Sequence, residues 1–181
     1  MIPPRLKLLT TKQAWTDLAL DKSTITQLEK IKSRQKNSAA INEIGVLKKK
    51  SKTGNRVLFF GPAAAPKLAT AALIGKDLNK VVYKIDLSKV VSKYIGETEK
   101  NLEQLFTLAE GKDWILFFDE ADALFGKRTE VKDAHDRYAN QEIAYLLQRM
   151  ENYQGLVILA TNTKSNIDPA FIRRFQIVDF N

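Results

Sequence analysis

Apolar residues in this chain fall into short blocks divided by polar stretches, and the spacing within each block predicts the element it builds. From Thr24 to Ile31, Ile25, Leu28 and Ile31 recur at helical spacing behind Ser23, a residue type suited to an N-cap, so this segment predicts part of a first helix. Val57-Leu-Phe-Phe60 is a continuous apolar run that stops at Gly61-Pro62, the pattern of a buried strand entering a loop. Ala69 to Leu78 is rich in Ala and Leu and predicts a helix. Lys80 to Asp86 reads as a second strand, followed by a loop and a helix from about Glu97 to Glu110. Asp113 to Asp119 reads as a third strand, Ala139 to Asn152 as a long helix, Leu156 to Thr161 as a fourth strand and Ile177 to Phe180 as a fifth. Strands alternating with helices at this spacing predict an α/β domain whose five-stranded, mainly parallel sheet is covered on both faces. In such sheets ligands lie beyond the carboxyl ends of the strands. Gly61, Asp119-Glu120 and Thr161-Asn162 fall there.

Composition removes several other classes. With 181 residues and 44% apolar content, the chain is long enough to bury a core and too apolar for disorder. Its longest apolar runs, Trp114 to Phe118 and Leu156 to Ala160, have strand length, far short of the ~20 residues a membrane helix needs. There is no repeat and no apolar N-terminal run of signal-peptide length, and the expectation is a cytoplasmic protein. The absence of cysteine excludes disulfides, thiolate nucleophiles and cysteine-ligated zinc. The net charge of +8 is unevenly spread: residues 1–60 carry +9 and residues 61–181 carry −1. The excess lies chiefly at Lys30 to Lys36 and Lys48 to Lys52, which read as a solvated helix face and loop or as a patch for nucleic acid, membrane or an acidic partner. Trp15 is the only aromatic residue before Val57, so the stacking platform of single-strand binders is missing and nucleic acid is not the expected partner.

Two segments carry chemistry. In Trp114-Ile-Leu-Phe-Phe-Asp-Glu-Ala-Asp122 an apolar strand delivers two adjacent carboxylates to its exit. One carboxylate there can hold magnesium and its neighbour can polarise an attacking water, although a buried strand can also simply end in solvated acids. After the first strand a phosphate loop would read Gly, four residues, Gly-Lys-Ser/Thr. This chain has Gly61-Pro-Ala-Ala-Ala-Pro-Lys-Leu68, so Gly61 and Lys67 match while Pro66 replaces the second glycine and Leu68 the hydroxyl residue. Proline has no N–H to give a phosphate, and leucine offers magnesium no oxygen. The N–H groups of Ala63, Ala64, Ala65, Lys67 and Leu68 can still face an anion at the start of a helix.

These elements, in this order from about Trp15 to Phe180, resemble the ATPase core of the AAA+ superfamily, most densely over Val82 to Phe175. The resemblance implies a P-loop NTPase-type αβα sandwich, with ATP and Mg2+ as cofactors. By it, Asp119 holds the metal, Glu120 is the base that activates water, and Asn162 orients the water or γ-phosphate. Gly61, Pro62, Ala63, Ala64, Ala65, Lys67 and Leu68 form the phosphate loop, and the backbone near Leu18 and Ala19 lies over adenine. Asp168-Pro-Ala-Phe-Ile-Arg-Arg-Phe175 resembles the segment whose arginines reach a neighbouring subunit's site, which makes Arg173 and Arg174 finger candidates. Ser92-Lys-Tyr-Ile-Gly-Glu97 resembles the pore loop of the protein-remodelling branch, in which Lys93 and Tyr94 would grip an extended polypeptide. The organisation it implies is a basic N-terminal helical segment over residues 1–55 leading into a large αβα subdomain over 56–181. By the same resemblance a helical lid subdomain normally follows, and the expectation is that it is absent from these residues, which end at Asn181.

The expected function is an AAA+-type ATPase subunit that binds ATP and couples hydrolysis to protein remodelling or threading in a homo- or hetero-oligomeric ring. Its degenerate phosphate loop would impair it. A non-hydrolysing scaffold or regulatory subunit of the same fold is one alternative, favoured by Pro66 and Leu68. A basic nucleic-acid or partner-binding module is the other, favoured by charge alone.

Overall fold

The computed structural model describes residues 6–43, 56–87, 97–121, 134–162 and 172–180. Six strands form one sheet: β1 (Leu6–Leu8), β2 (Arg56–Phe60), β3 (Val82–Ile85), β4 (Ile115–Phe118), β5 (Val157–Thr161) and β6 (Gln176–Asp179). Their spatial order is β1-β3-β4-β5-β2-β6. All neighbours are parallel except β1, which runs antiparallel along β3 with Leu6 opposite Ile85 and Leu8 opposite Tyr83. The expected five strands are thus present and a sixth is added. Leu6-Lys-Leu8 buries Leu6 alone and leaves Lys7 and Leu8 exposed, a three-residue stretch with no period to stand out in the sequence.

Among the described residues four α-helices cover the sheet: α1 (Lys22–Glu43), α2 (Ala64–Leu78), α3 (Glu97–Glu110) and α4 (Ala134–Asn152). Side chains alternate along each strand, so the two sheet faces build two cores. Leu58, Leu116, Phe118, Val157 and Leu159 pack with Leu102, Leu105, Phe106, Leu146 and Met150 of α3 and α4. Val57, Phe59, Ile115, Phe117, Ile158 and Ala160 pack with Leu28, Ile31, Ala71 and Ile74 of α1 and α2. The strands in the middle of the sheet are buried on both faces, which is why they read as unbroken apolar runs.

Helix boundaries depart from the sequence reading at three starts, the simplest being α4, which begins at Ala134 rather than Ala139. The N-cap of α1 is Asp21, not Ser23: its Oδ1 accepts the Thr24 N–H at 2.6 Å, and this bond holds the Asp21 carboxyl below its ordinary pKa. Helix α2 begins at Ala64, five residues before the Ala/Leu-rich block, because a proline in the first turn obstructs nothing. The segment before α1 is strapped down at the far end of α2. Trp15 Nε1 donates to Asp77 Oδ2 at 3.1 Å, Lys32 pairs with the same carboxylate at 2.8 Å, and the Lys32 ammonium sits 4.7 Å from the Trp15 ring centroid. Burial disfavours the Lys32 charge, but Asp77 and Glu29 outweigh it and its pKa is raised. Arg34 donates to Gln176 at 2.8 Å, so two cations of the Lys30–Lys36 stretch take part in packing.

Candidate functional site

Three strand exits meet at one rim of the sheet. Phe60 ends β2 opposite Thr161, which ends β5, and β4 lies on the other side of β5. Backbone bonds lace the following turns to β5: Gly61 N–H donates to Thr161 O at 3.3 Å, and Ala121 N–H to Ala160 O at 2.9 Å.

The turn between β2 and α2 is only Gly61-Pro62-Ala63. Gly61 has φ +152°, and a Cβ on it would lie 2.7 Å from Phe180 Cβ, so both conformation and space demand glycine. Ala63 is the N-cap of α2 in extended conformation and brings no side-chain oxygen to the free N–H groups of the first turn. Pro62, Ala63, Ala64 and Ala65 are exposed, leaving an open helix start. Pro66 occupies the third helical position, where its N–H would have had no carbonyl partner. The fold therefore tolerates the proline, but one amide donor is missing from the cradle. Leu68 turns inward and packs against the Val57–Phe59 core.

Lys67 is the centre of the site. It is 1% exposed, and its ammonium donates to Gly61 O at 2.7 Å, Thr161 O at 2.8 Å and Asn162 Oδ1 at 2.7 Å. Three residues picked out separately in the sequence, Gly61, Lys67 and Asn162, are thus joined through one nitrogen.

The acidic pair stands at the exit of β4. Glu120 is exposed and has φ +55°, a left-handed conformation uncommon away from glycine and typical of functional sites. Both Asp119 oxygens have partners: Oδ1 accepts the Glu120 N–H at 3.1 Å, and Oδ2 accepts Lys84 Nζ at 2.6 Å. Lys84 was not singled out in the sequence. The available signal was a lone cation inside the apolar run Val82-Tyr-Lys-Ile85, since a charge in a buried strand requires a partner. Magnesium needs oxygen ligands. Among the described residues, each Asp119 oxygen already accepts a bond from within the chain, Lys84 holds a positive charge against Oδ2, and Leu68 supplies no oxygen, so this set as arranged does not fit a magnesium ion.

The remaining candidates lie elsewhere. Arg173 and Arg174 are exposed just before β6, at the opposite end of the sheet from the loop. The buried Arg56 at the start of β2 donates to the carbonyls of Arg174 and Glu151 at 3.4 Å, and Arg174 pairs with Glu151 Oε1 at 2.7 Å. Burial lowers the Arg56 pKa. The length of β2, about 16 Å at some 3.3 Å per residue, separates Arg56 from Gly61, so these arginines lie far from the loop after Phe60. Leu18 and Ala19 belong to the strap before α1, where Leu18 is half-buried and Ala19 exposed. Leu18 N–H donates to Trp15 O and Leu20 N–H to Leu18 O, both within the strap. The first turn of α1 is tied to the rim by Thr24 Oγ1, which donates to Asp179 O at 2.5 Å. Lys93 and Tyr94 lie outside the described residues. Among the described residues no helix is long and apolar enough to cross a membrane.

Residues 57–180 match the family described as ATPase family associated with various cellular activities (AAA). The chain is similar to Cell division protein C of Sulfolobus acidocaldarius, 35% identical over 129 residues, covering 66% of this chain and 34% of that protein. It is also similar to the Proteasome-activating nucleotidase of Methanococcus vannielii, 32% identical over 143 residues, covering 76% of this chain and 34% of that protein. The chain thus spans about a third of the length of these relatives. Among solved structures, the FIGL-1 AAA domain superposes with a TM-score of 0.68 at 21% identity, covering 97% of this chain and 58% of the other, which shows the shared fold.

Proposed function

The chain belongs to the AAA ATPase family, and on that premise we propose that it is a nucleotide-binding AAA subunit that takes ATP or ADP at the loop after Phe60 and hydrolyses it slowly or not at all. The observation that carries this reading is the Lys67 ammonium, buried and satisfied by Gly61 O, Thr161 O and Asn162 Oδ1. A phosphate must draw that ammonium away from charge-assisted bonds it already makes, which weakens the net attraction. The open start of α2 still offers N–H groups to the anion, with Pro66 subtracted from the set. Adenine would lie over the strap at Leu18 and Ala19. Phosphoryl transfer relies on positioning and charge stabilisation, so a cradle lacking one donor and one hydroxyl leaves Glu120 poorly supplied with a reacting group.

Residues 56–181 act in this reading as the αβα core, with residues 1–55 as a basic helical segment leading into it. The subunit works in a ring beside other AAA subunits, to which Arg173 lends its guanidinium. Arg174 must first give up Glu151. A polypeptide gripped by Lys93 and Tyr94 is the substrate class that fits, and a cytoplasmic setting suits it.

A second reading, an active remodelling ATPase, is favoured by the exposed Glu120 at the rim and by the placement of the arginines away from their own site. Calorimetric titration with ATP and magnesium, paired with a turnover assay, separates the two. Weak binding with turnover no higher than that of Glu120→Gln supports the first reading. Micromolar affinity with turnover that vanishes in Glu120→Gln overturns it in favour of the second.

A further inference from the structure

Lys84 occupies the position from which a metal would be expected to work, and its reach follows from strand register. Lys84 on β3 stands opposite Phe117 on β4, and Asp119 follows two residues later on the same face. A side chain leaning along the sheet toward the rim therefore brings its ammonium to the Asp119 carboxylate, where Nζ and Oδ2 are 2.6 Å apart. The Lys84 and Asp119 side chains are 30% and 18% exposed, so the pair is partly shielded from solvent at the exit of β4, the same rim at which β2 and β5 end.

We propose that Lys84 is a built-in cation that takes the place of magnesium, so that this site binds an adenine nucleotide as its metal-free anion. The inference rests on the nucleotide-binding reading above. Charge and donor chemistry both carry it. An unpaired Asp119 would repel an incoming phosphate, and the covalently attached ammonium neutralises it. A divalent ion approaching the same carboxylate meets that ammonium, and like charges at such separations repel strongly. The other oxygen usually offered from the phosphate loop is missing because position 68 is leucine. Lys84 then compensates Asp119 while Lys67 meets the phosphate, so one fixed charge stands where a divalent ion would otherwise sit.

The test is a titration of the full chain with a fluorescent N-methylanthraniloyl derivative of ADP or ATP, once in EDTA and once with magnesium. It is run for the wild type, Lys84→Met and Lys84→Arg. Wild-type affinity is expected to agree within about twofold in the two buffers, whereas Lys84→Met weakens binding in EDTA by about tenfold, the weight of one charged contact, and recovers with magnesium. Lys84→Arg keeps the charge and stays insensitive to the metal. Wild-type binding that tightens tenfold or more with magnesium overturns this inference alone. So does a Lys84→Met variant that binds as wild type in EDTA. Absence of binding by the wild type in both buffers overturns the nucleotide-binding reading, and this inference with it.

Discussion

Replacing Gly61 by alanine tests the claim that the turn after β2 is held by steric necessity. The added Cβ would lie 2.7 Å from Phe180 Cβ, 2.9 Å from Phe180 O and 3.0 Å from Phe180 C. Two of those atoms are backbone, and Phe180 N–H is itself bonded to Phe60 O at 2.7 Å, so the neighbour cannot simply rotate aside. A φ of +152° in a non-glycine residue adds strain of about 1–3 kcal/mol, and overpacking of this kind adds about 1–3 kcal/mol more. The expected loss is therefore about 2–6 kcal/mol. For a chain of this size about 3 kcal/mol lowers the thermal midpoint by roughly 6–12 °C. Urea denaturation followed by tryptophan fluorescence reads the change, with Gly111→Ala as control. A Cβ on Gly111 meets nothing within 4 Å, so that variant should stay within about 0.5 kcal/mol of wild type. Trimming the ring with Phe180→Ala in the Gly61→Ala background should rescue nothing, because the clash is with Cβ and the main chain. Equal midpoints for Gly61→Ala and Gly111→Ala would refute the reasoning.

Three further outcomes are expected. Restoring the loop with Pro66→Gly and Leu68→Thr together should raise nucleotide affinity, measured by calorimetry, because an amide donor and a hydroxyl return to the cradle; unchanged affinity would place the defect elsewhere. Tyr153→Phe should cost about 1–2 kcal/mol in urea denaturation, since the buried hydroxyl donates to Trp114 O and burial already keeps its pKa high. Asp21→Ala should lower the unfolding midpoint at pH 7 and much less at pH 2. The folded Asp21 carboxyl titrates below its ordinary 3.8, so its cap stabilises above that value and is lost as pH falls through the folded pKa. A wild-type-to-variant gap that does not narrow in acid would count against the cap.

Legibility in the sequence followed signal length. The helix at Glu97–Glu110 was readable to its ends, because apolar residues such as Leu102, Leu105, Phe106 and Ala109 recur on one face between acidic residues. The central strands were readable because two covered faces make them apolar throughout. The strand at Leu6–Leu8 was missed because three residues carry no period, and its place is set by the β3 edge rather than by its own propensity. At the rim, the identities of Gly61, Lys67, Asp119 and Asn162 were visible from motif order. Their partners were not: Lys84 reaches Asp119 only through the register of two strands, and register is a tertiary fact.

The antiparallel strand at the sheet margin has a temporal consequence. It is synthesised well before its docking ledge at Tyr83–Ile85, which follows the whole β2–α2 unit in the chain. Leu6–Leu8 therefore cannot pair until that ledge has left the ribosome. Held by three residues at one border, they should also be the first amides to exchange in heavy water, before any strand of the interior loosens.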